Sequence, residues 1–123
     1  MNRLLSLLYH DVYRTDPAES GFLGAAAGRY KLPLAEFNLQ LERLAAVMDE
    51  PPVLVTAARS VEGPPRVAFT VDDGGISYYL DLAERLEERG WRGHCFVTTG
   101  WIGRGGFLNA RQLREIHARG HLI

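Results

Sequence analysis

The feature that most constrains the fold is an apolar strand pattern that ends in two acids. Residues 67–71 form a β-branched and aromatic run, and Asp72, Asp73, Gly74 and Gly75 follow it directly. Glycines give the backbone the freedom that a tight turn needs. The pattern therefore predicts a strand that delivers two carboxylates into a loop.

Other segments have the composition of strands and a loop. Residues 4–9 form a short apolar run suited to a buried strand, and residues 53–56 resemble a second, short strand. Another strand is predicted at 94–98, and residues 121–123 begin the next one. Residues 15–29 are rich in glycine, alanine and small polar side chains, which predicts a loop.

An amphipathic helix is predicted before the acidic strand. Pro33 suits its first position, and Pro51 and Pro52 end it. Its apolar residues recur at alternating spacings of three and four, which lays one stripe along the helix. That stripe consists of Leu34, Phe37, Leu41, Leu44 and Met48.

Two further helices have sequence signals at their ends. Ser77 is predicted to cap the first of them, and Gly90 fits the left-handed position after its last turn. Asn109 is a good N-cap for the second, and Gln112 is placed to complete a capping box. Gly120 ends this last helix.

The alternation of strands and helices predicts an α/β fold. It implies parallel strands with right-handed crossovers, as in an open doubly wound sheet or a β/α barrel. In both architectures function gathers at the carboxyl ends of the strands, where Asp72, Asp73, Thr98 and Thr99 are expected. A sheet that stops in an apolar strand leaves edge groups unpaired, so we expect a truncated chain.

Composition excludes several classes of function. The chain is 46% hydrophobic and 24% charged with a net charge of -1, so it lacks the basic stripe of a nucleic-acid-binding protein. Cys95 is the only cysteine, which rules out an internal disulfide and predicts a buried, inert thiol. We expect no signal peptide and no membrane span, and hence a cytoplasmic protein.

Two adjacent carboxylates at a strand end allow two interpretations. A divalent cation offsets their repulsion, and one acid can bind the ion while the other takes a proton from its water. The alternative is a solvated turn, because Asp-Gly is among the commonest turn dipeptides. The spacing alone leaves both open.

The string Val-Ala-Phe-Thr-Val-Asp-Asp-Gly-Gly at 67–75 resembles the first signature of the polysaccharide deacetylases. These enzymes form a carbohydrate esterase group whose catalytic unit is called the NodB-homology domain. The signature normally reads Thr-Phe-Asp-Asp-Gly, and Val71 replaces its phenylalanine here. Further similar segments cover nearly the whole chain: the Tyr-His opening at 8–12, the helix at 30–44, the second strand and loop at 96–108, and 120–123.

The resemblance implies a fold and a domain organisation. It predicts the N-terminal part of a (β/α) barrel of the deacetylase type, truncated after about three parallel strands. Residues 1–65 would form a lead-in of strand, loop and amphipathic helix. Residues 66–123 would form the first half of the catalytic domain.

The resemblance also implies a site and a reaction. By position, Asp72 is the general base and Asp73 a ligand of a divalent metal, expected to be Zn²⁺. Two histidines of a His-Ser/Thr-x-x-His segment and a later acid histidine would follow Ile123. The implied reaction is hydrolysis of N-acetyl groups on an amino-sugar polymer or oligosaccharide.

Other polar and aromatic residues have two interpretations each. His10 either lines the barrel mouth, where it would meet substrate, or hydrogen-bonds backbone. Trp101 either stacks on a sugar ring or anchors its loop. His121 precedes the expected metal motif, but a structural role at the start of a strand is favoured for it, and His94 and His117 are expected to be ordinary.

Two rival functions follow from the sequence. A phosphotransfer receiver domain also carries an acidic pair after a parallel strand, but no Asp follows Asp81 here and Lys31 is the only lysine. A catalytically silent fragment of the deacetylase family is the stronger rival, because one carboxylate ligand holds a catalytic metal poorly. The polysaccharide and the oligomeric state are not encoded in any motif present.

Overall fold

A computed structural model describes residues 3–57 and 63–123. Its strands form one three-stranded sheet and one small two-stranded ladder, and all of their pairings are parallel. The strands are β1 (Leu4–Tyr9), β2 (Val12–Tyr13), β3 (Leu32–Pro33), β4 (Arg66–Val71) and β5 (His94–Cys95).

Helices connect these strands and cover one face of the sheet. Two short 3₁₀ turns lie at Pro17–Glu19 and Thr99–Trp101, and a π-helical turn at Tyr78–Leu82 leads directly into α3. The α-helices are α1 (Ala25–Gly28), α2 (Leu34–Val47), α3 (Ala83–Glu87) and α4 (Ala110–Ala118). The loop predicted at 15–29 therefore contains two short helical turns.

The three-stranded sheet has the order β1-β4-β5. Leu122 continues it through a parallel bridge to His94, and the Cys95 amide donates to the Leu122 carbonyl at 2.8 Å. The predicted α/β architecture with parallel strands is confirmed. The strand predicted at 94–98 is regular only at His94 and Cys95, although the Phe96 amide still donates to Val71 at 2.8 Å.

The core lies between the sheet and α2, α3 and α4. Phe69 of β4 is fully buried, with its ring stacked at 6.1 Å from Tyr9 and 5.7 Å from Trp91. Burying each such side chain contributes roughly 1.5–3 kcal/mol. The helices contribute Phe37, Leu41, Leu82, Ala83, Leu86 and Ile116, so the predicted apolar stripe of α2 faces the core at its centre.

Strand β1 forms where predicted, but the expectation that it is buried is wrong. Leu4, Leu5 and Leu8 are 42%, 54% and 57% exposed. Among the described residues β1 pairs with β4 alone, so it stands at the edge of the sheet. Only Leu7 and Tyr9 pack against the core.

The short strand predicted at 53–56 is also wrong. The Val53 amide donates to the Val67 carbonyl at 2.8 Å, but residues 55–57 form a turn. The Val55 amide donates instead to the imidazole Nε2 of His94 at 3.0 Å. A side chain thus satisfies this amide in place of a neighbouring strand.

The helix-end predictions have mixed outcomes. Asn109 and Gln112 form the predicted capping box of α4, and Gly90 and Gly120 adopt left-handed φ values of 72° and 96°. Ser77 does not cap its helix. Its hydroxyl donates to the carboxylate of Asp11 at 2.8 Å, because a buried acceptor lies within reach.

The buried side chain of His121 connects the π-helical turn, α3 and the loop before β5 through hydrogen bonds. Its Nδ1 accepts from the Gly93 amide at 3.1 Å and lies 2.8 Å from the Tyr78 hydroxyl, while Nε2 lies 2.9 Å from Glu87 Oε1. Burial lowers the pKa of His121. Burial alone would raise the pKa of Glu87, but hydrogen bonds from Arg119 and His121 outweigh it and lower that pKa.

Replacing Asn109 by alanine should lower the free energy of unfolding by about 1 kcal/mol, because the amide of Gln112 loses its side-chain acceptor. Urea denaturation followed by circular dichroism measures this. Arg114→Ala on the exposed side of α4 is the matched control and should change stability by less than about 0.5 kcal/mol. Equal effects of the two substitutions would contradict the capping role.

Stability should fall as pH drops below the ordinary histidine value of 6.5. The unfolded chain then binds a proton at His121 that the folded chain resists, and the lowered pKa of Glu87 acts in the same direction at lower pH. Urea denaturation at pH 7.5, 6 and 5 measures the slope. His121→Gln should flatten it, whereas the exposed control His117→Gln should leave it unchanged.

Candidate functional site

The two acids follow β4 at the edge where β1 also ends. Tyr9 is the register partner of Val71, and the Asp72 amide donates to the Tyr9 carbonyl at 2.9 Å. His10 and Asp11 therefore leave β1 at the level where Asp72 and Asp73 leave β4. The predicted strand that delivers two carboxylates into a loop is present.

Asp73 occupies a strained backbone conformation. Its φ is 78°, and among the described residues it is the only non-glycine with a positive φ. The left-handed region costs an L-residue roughly 1–2 kcal/mol, although aspartate tolerates it better than most. The carbonyl of Asp73 accepts from the Thr98 amide at 3.2 Å, and that of Gly74 accepts from Leu108 at 3.0 Å. The loop after β5 thus holds the turn.

A third carboxylate, Asp11, lies beneath the turn and is 2% exposed. Its Oδ1 accepts hydrogen bonds from the hydroxyls of Ser20 at 2.5 Å and Ser77 at 2.8 Å. Asp11 is not among the site residues predicted from the sequence. One signal was available: Asp11 follows β1 as the acidic pair follows β4, so both strands end in acids.

Two glycines give the Asp11 carboxylate its room. A Cβ at Gly75 would overlap Oδ1 of Asp11, and one at Gly21 would overlap Oδ2. Gly21 also needs its freedom because its φ is 69°. Gly75 is therefore required by close packing against a charged group, in addition to the turn that the sequence predicted.

Negative charge is incompletely balanced at the turn. Burial is the main cause that raises the pKa of Asp73. The charge of His10 lowers this pKa, while the charges of Asp11 and Asp72 raise it further. Lys31 also lowers this pKa, but more weakly. The net effect is a raised pKa, because burial and the two neighbouring carboxylates outweigh the two cations.

Lys31 stabilises the loop that brings Ser20 to the site. Its buried ammonium donates to three backbone carbonyls, those of Pro17 at 2.7 Å, Ser20 at 2.5 Å and Phe22 at 2.6 Å. Three donors are the full capacity of a lysine. Lys31 therefore acts as a structural cation here.

The structure places the two predicted substrate candidates near the turn. The His10 ring packs 5.0 Å from that of Tyr30, and its charge acts on Asp73. Trp101 contacts the rings of Phe22 and Phe107, each at 5.0 Å, and the Arg104 guanidinium lies 4.8 Å over it. This packing favours the loop-anchor interpretation of Trp101.

The remaining histidines and the cysteine have structural surroundings. His94 is buried between the Phe69 carbonyl at Nδ1 and the Val55 amide at Nε2. Cys95 is buried, and desolvation raises its pKa to about 12, so the thiol is inert as predicted. His121 lies in the structural network described above.

The acidic pair fits part of a metal site. Carboxylate oxygens are suitable ligands for Zn²⁺ and similar divalent ions. Within residues 3–57 and 63–123, however, no three His, Cys, Asp or Glu side chains gather as a group able to hold an ion. The chain's own described residues therefore supply an incomplete donor set.

Comparison with known proteins decides the family. A sequence profile described as "Polysaccharide deacetylase" matches residues 59–123, which is more than half of the chain. The chain belongs to the polysaccharide deacetylase family. The matched segment contains the acidic pair Asp72-Asp73 and the loop that holds it. The resemblance noted in the sequence is confirmed.

Solved structures share the fold of this chain. IcaB from Ammonifex degensii superposes with a TM-score of 0.78 at 25% identity and covers 99% of the chain. The Streptococcus pyogenes deacetylase PplD in complex with acetate has a TM-score of 0.75 at 18% identity and covers 98% of the chain. A de-N-acetylase from Aggregatibacter actinomycetemcomitans has a TM-score of 0.77 at 14% identity and covers 98% of the chain.

The chain spans about half the length of these structures, namely 52%, 54% and 53% of the respective proteins. A search of curated proteins found no match. In the part of the chain that the structure describes, no helix combines the length and hydropathy that crossing a bilayer requires.

Gly75→Ala should lower the free energy of unfolding by about 2 kcal/mol or more, because the new methyl group overlaps the buried Asp11 carboxylate. Gly100→Ala is the matched control, since a Cβ there meets nothing within 4 Å. Its effect should stay within about 0.5 kcal/mol. Chemical denaturation of both variants measures the difference, and similar values would contradict the close packing.

Proposed function

We propose that this chain carries the acidic half of a metal-dependent deacetylase site, which removes N-acetyl groups from an amino-sugar polymer or oligosaccharide. The observation that supports this most is the Asp72-Asp73 turn at the carboxyl end of a parallel strand, in a chain of the polysaccharide deacetylase family. In the proposed organisation residues 1–65 are a lead-in and residues 66–123 the first half of the catalytic domain.

Asp72 is the proposed general base. Water adds to the acetyl carbonyl carbon while Asp72 accepts its proton; the C–N bond then breaks, the nitrogen takes up a proton, and acetate and a free amine remain. Asp73 is the proposed metal ligand, and the raised pKa caused mainly by its burial is consistent with a carboxylate that gains from a cation. A bound Zn²⁺ polarises the carbonyl and lowers the pKa of its water.

The remaining ligands and the acid would come from residues outside this chain, as the family resemblance implies. His10 is a proposed substrate contact, because its half-buried ring lies at the edge where the acids leave the sheet. Trp101 is the weaker proposal, since Arg104 covers its ring.

A catalytically silent fragment is the alternative function. One observation favours it: in the described ranges no three His, Cys, Asp or Glu side chains form a group that could hold a metal ion. A metal held by one or two carboxylates binds weakly. The two proposals differ in whether the purified protein releases acetate at all.

Asp72→Asn should reduce acetate release at least about 100-fold, because the amide cannot accept the water proton. Acetate is measured enzymatically after incubation with an N-acetylglucosamine oligomer. Chelator should abolish release by the wild type, and added Zn²⁺ should restore it. The matched control is Asp49→Asn, which changes an exposed aspartate and should retain full activity.

Three results would count against the enzymatic proposal. Activity that survives Asp72→Asn would remove Asp72 from the mechanism. Activity that is indifferent to chelator would remove the metal. No release by a folded wild-type protein supplied with Zn²⁺ would support the silent fragment.

A further inference from the structure

We infer that Asp11 is a positioning residue that fixes the turn carrying Asp72 and Asp73, and that it acts through hydrogen bonds to Ser20 and Ser77. The inference rests on the proposed function, because it assigns a role toward the same acidic pair. Asp11 is not proposed to touch substrate or metal. Its effect passes through two hydroxyl groups.

The burial of Asp11 is costly, and no salt bridge within the described residues offsets it. The residue is 2% exposed, and desolvating a carboxylate costs several kcal/mol. Among the described residues no Lys, Arg or His forms a salt bridge with Asp11, and Lys31 is committed to three carbonyls. In the described part of the chain the hydrogen-bond donors to Asp11 are the hydroxyls of Ser20 and Ser77, so the carboxylate serves to order those two groups.

The hydrogen bonds around Asp11 form a closed ring. Ser20 and Ser77 both donate from their hydroxyls to Asp11 Oδ1, and the Ser77 amide donates to the Ser20 hydroxyl at 2.8 Å. The Ser77 hydroxyl also accepts from the Val12 amide at 3.2 Å. The residue before the π-helical turn is thereby joined to the start of β2 and to the residue before it.

The ring is anchored on two sides. The Gly106 carbonyl accepts from the amides of Gly21 at 2.8 Å and Ile76 at 2.9 Å, so the loop after β5 holds the residues beside Ser20 and Ser77. Lys31 holds the Ser20 carbonyl from the other side. Three loops far apart in sequence thus meet at one carboxylate.

This arrangement bears directly on Asp73. Its left-handed backbone is unfavourable for an L-residue, so surrounding contacts must hold it. Gly75 packs against Asp11 and Ser77 bonds to it, which fixes the chain two and four residues after Asp73. Loss of Asp11 should free the turn while leaving the distant core intact.

The test compares the variants Asp11→Asn, Asp11→Ala and Ser77→Ala. The control is Ser6→Ala, because the exposed hydroxyl of Ser6 forms a hydrogen bond with the hydroxyl of Thr70 on the neighbouring strand. Amide hydrogen exchange is followed by NMR at Thr98 and Leu108, which donate to the turn. The Gly93 amide, bonded to His121, reports on the remote core. Acetate release supplies kcat and KM.

Asp11→Ala and Ser77→Ala should speed exchange at Thr98 and Leu108 by about tenfold, with Gly93 unchanged. Asp11→Asn keeps an acceptor for both serines, so it should stay within about threefold of wild type. We expect kcat to fall more in Asp11→Ala and Ser77→Ala than in Asp11→Asn, while KM stays nearly constant. Ser6→Ala should match wild type throughout.

Equal losses of kcat in Asp11→Asn and Asp11→Ala, with exchange at the turn unchanged, would overturn the inference in favour of a role for the charge itself. Faster exchange at Gly93 in proportion to Thr98 would overturn it in favour of general stability. If Asp11→Ala does not fold, Ser77→Ala and Asp11→Asn decide. If the wild type releases no acetate but the variants show the expected exchange rates at Thr98, Leu108 and Gly93, the proposed function is contradicted and the positioning role of Asp11 is supported.

Discussion

Parallel pairing between β1 and β4 sets the geometry on which the site depends. The register runs from Leu4 opposite Arg66 to Tyr9 opposite Val71, so both strands end at the same level. The Asp72 amide extends this ladder by one hydrogen bond to Tyr9. A slip of one residue would turn Phe69 out of the core and displace the acids from the edge, so burial and site geometry enforce the same register.

The acidic turn is held mainly from outside its own segment. Backbone bonds arrive from Thr98 and Leu108, and the hydroxyl ring arrives from Ser20 and Ser77. Such a design places charged groups on a rigid support, which catalytic constellations require. It also explains why glycines are concentrated where these loops touch, since a side chain at Gly75 would displace the Asp11 carboxylate.

Local signals predicted well and long-range ones did not. The capping box of Asn109, the β-branched strand before Asp72 and the glycine helix ends depend on neighbours within a few residues, and all are present. The Asp72-Asp73 pair was found because its motif is contiguous. Ser77 and Val55 were misassigned because their partners, Asp11 and His94, lie 66 and 39 residues away. No periodicity in the chain encodes such pairings.

The positive φ of Asp73 makes aspartate a less favourable residue for folding at this position than glycine. Glycine would relax that backbone at no steric expense, so selection for a stable fold alone would favour replacing the aspartate. Under the proposed function, the carboxylate of Asp73 binds a metal at the cost of an unfavourable backbone conformation. Under the same proposal, a lineage that no longer needs the metal would gain stability from a glycine at residue 73.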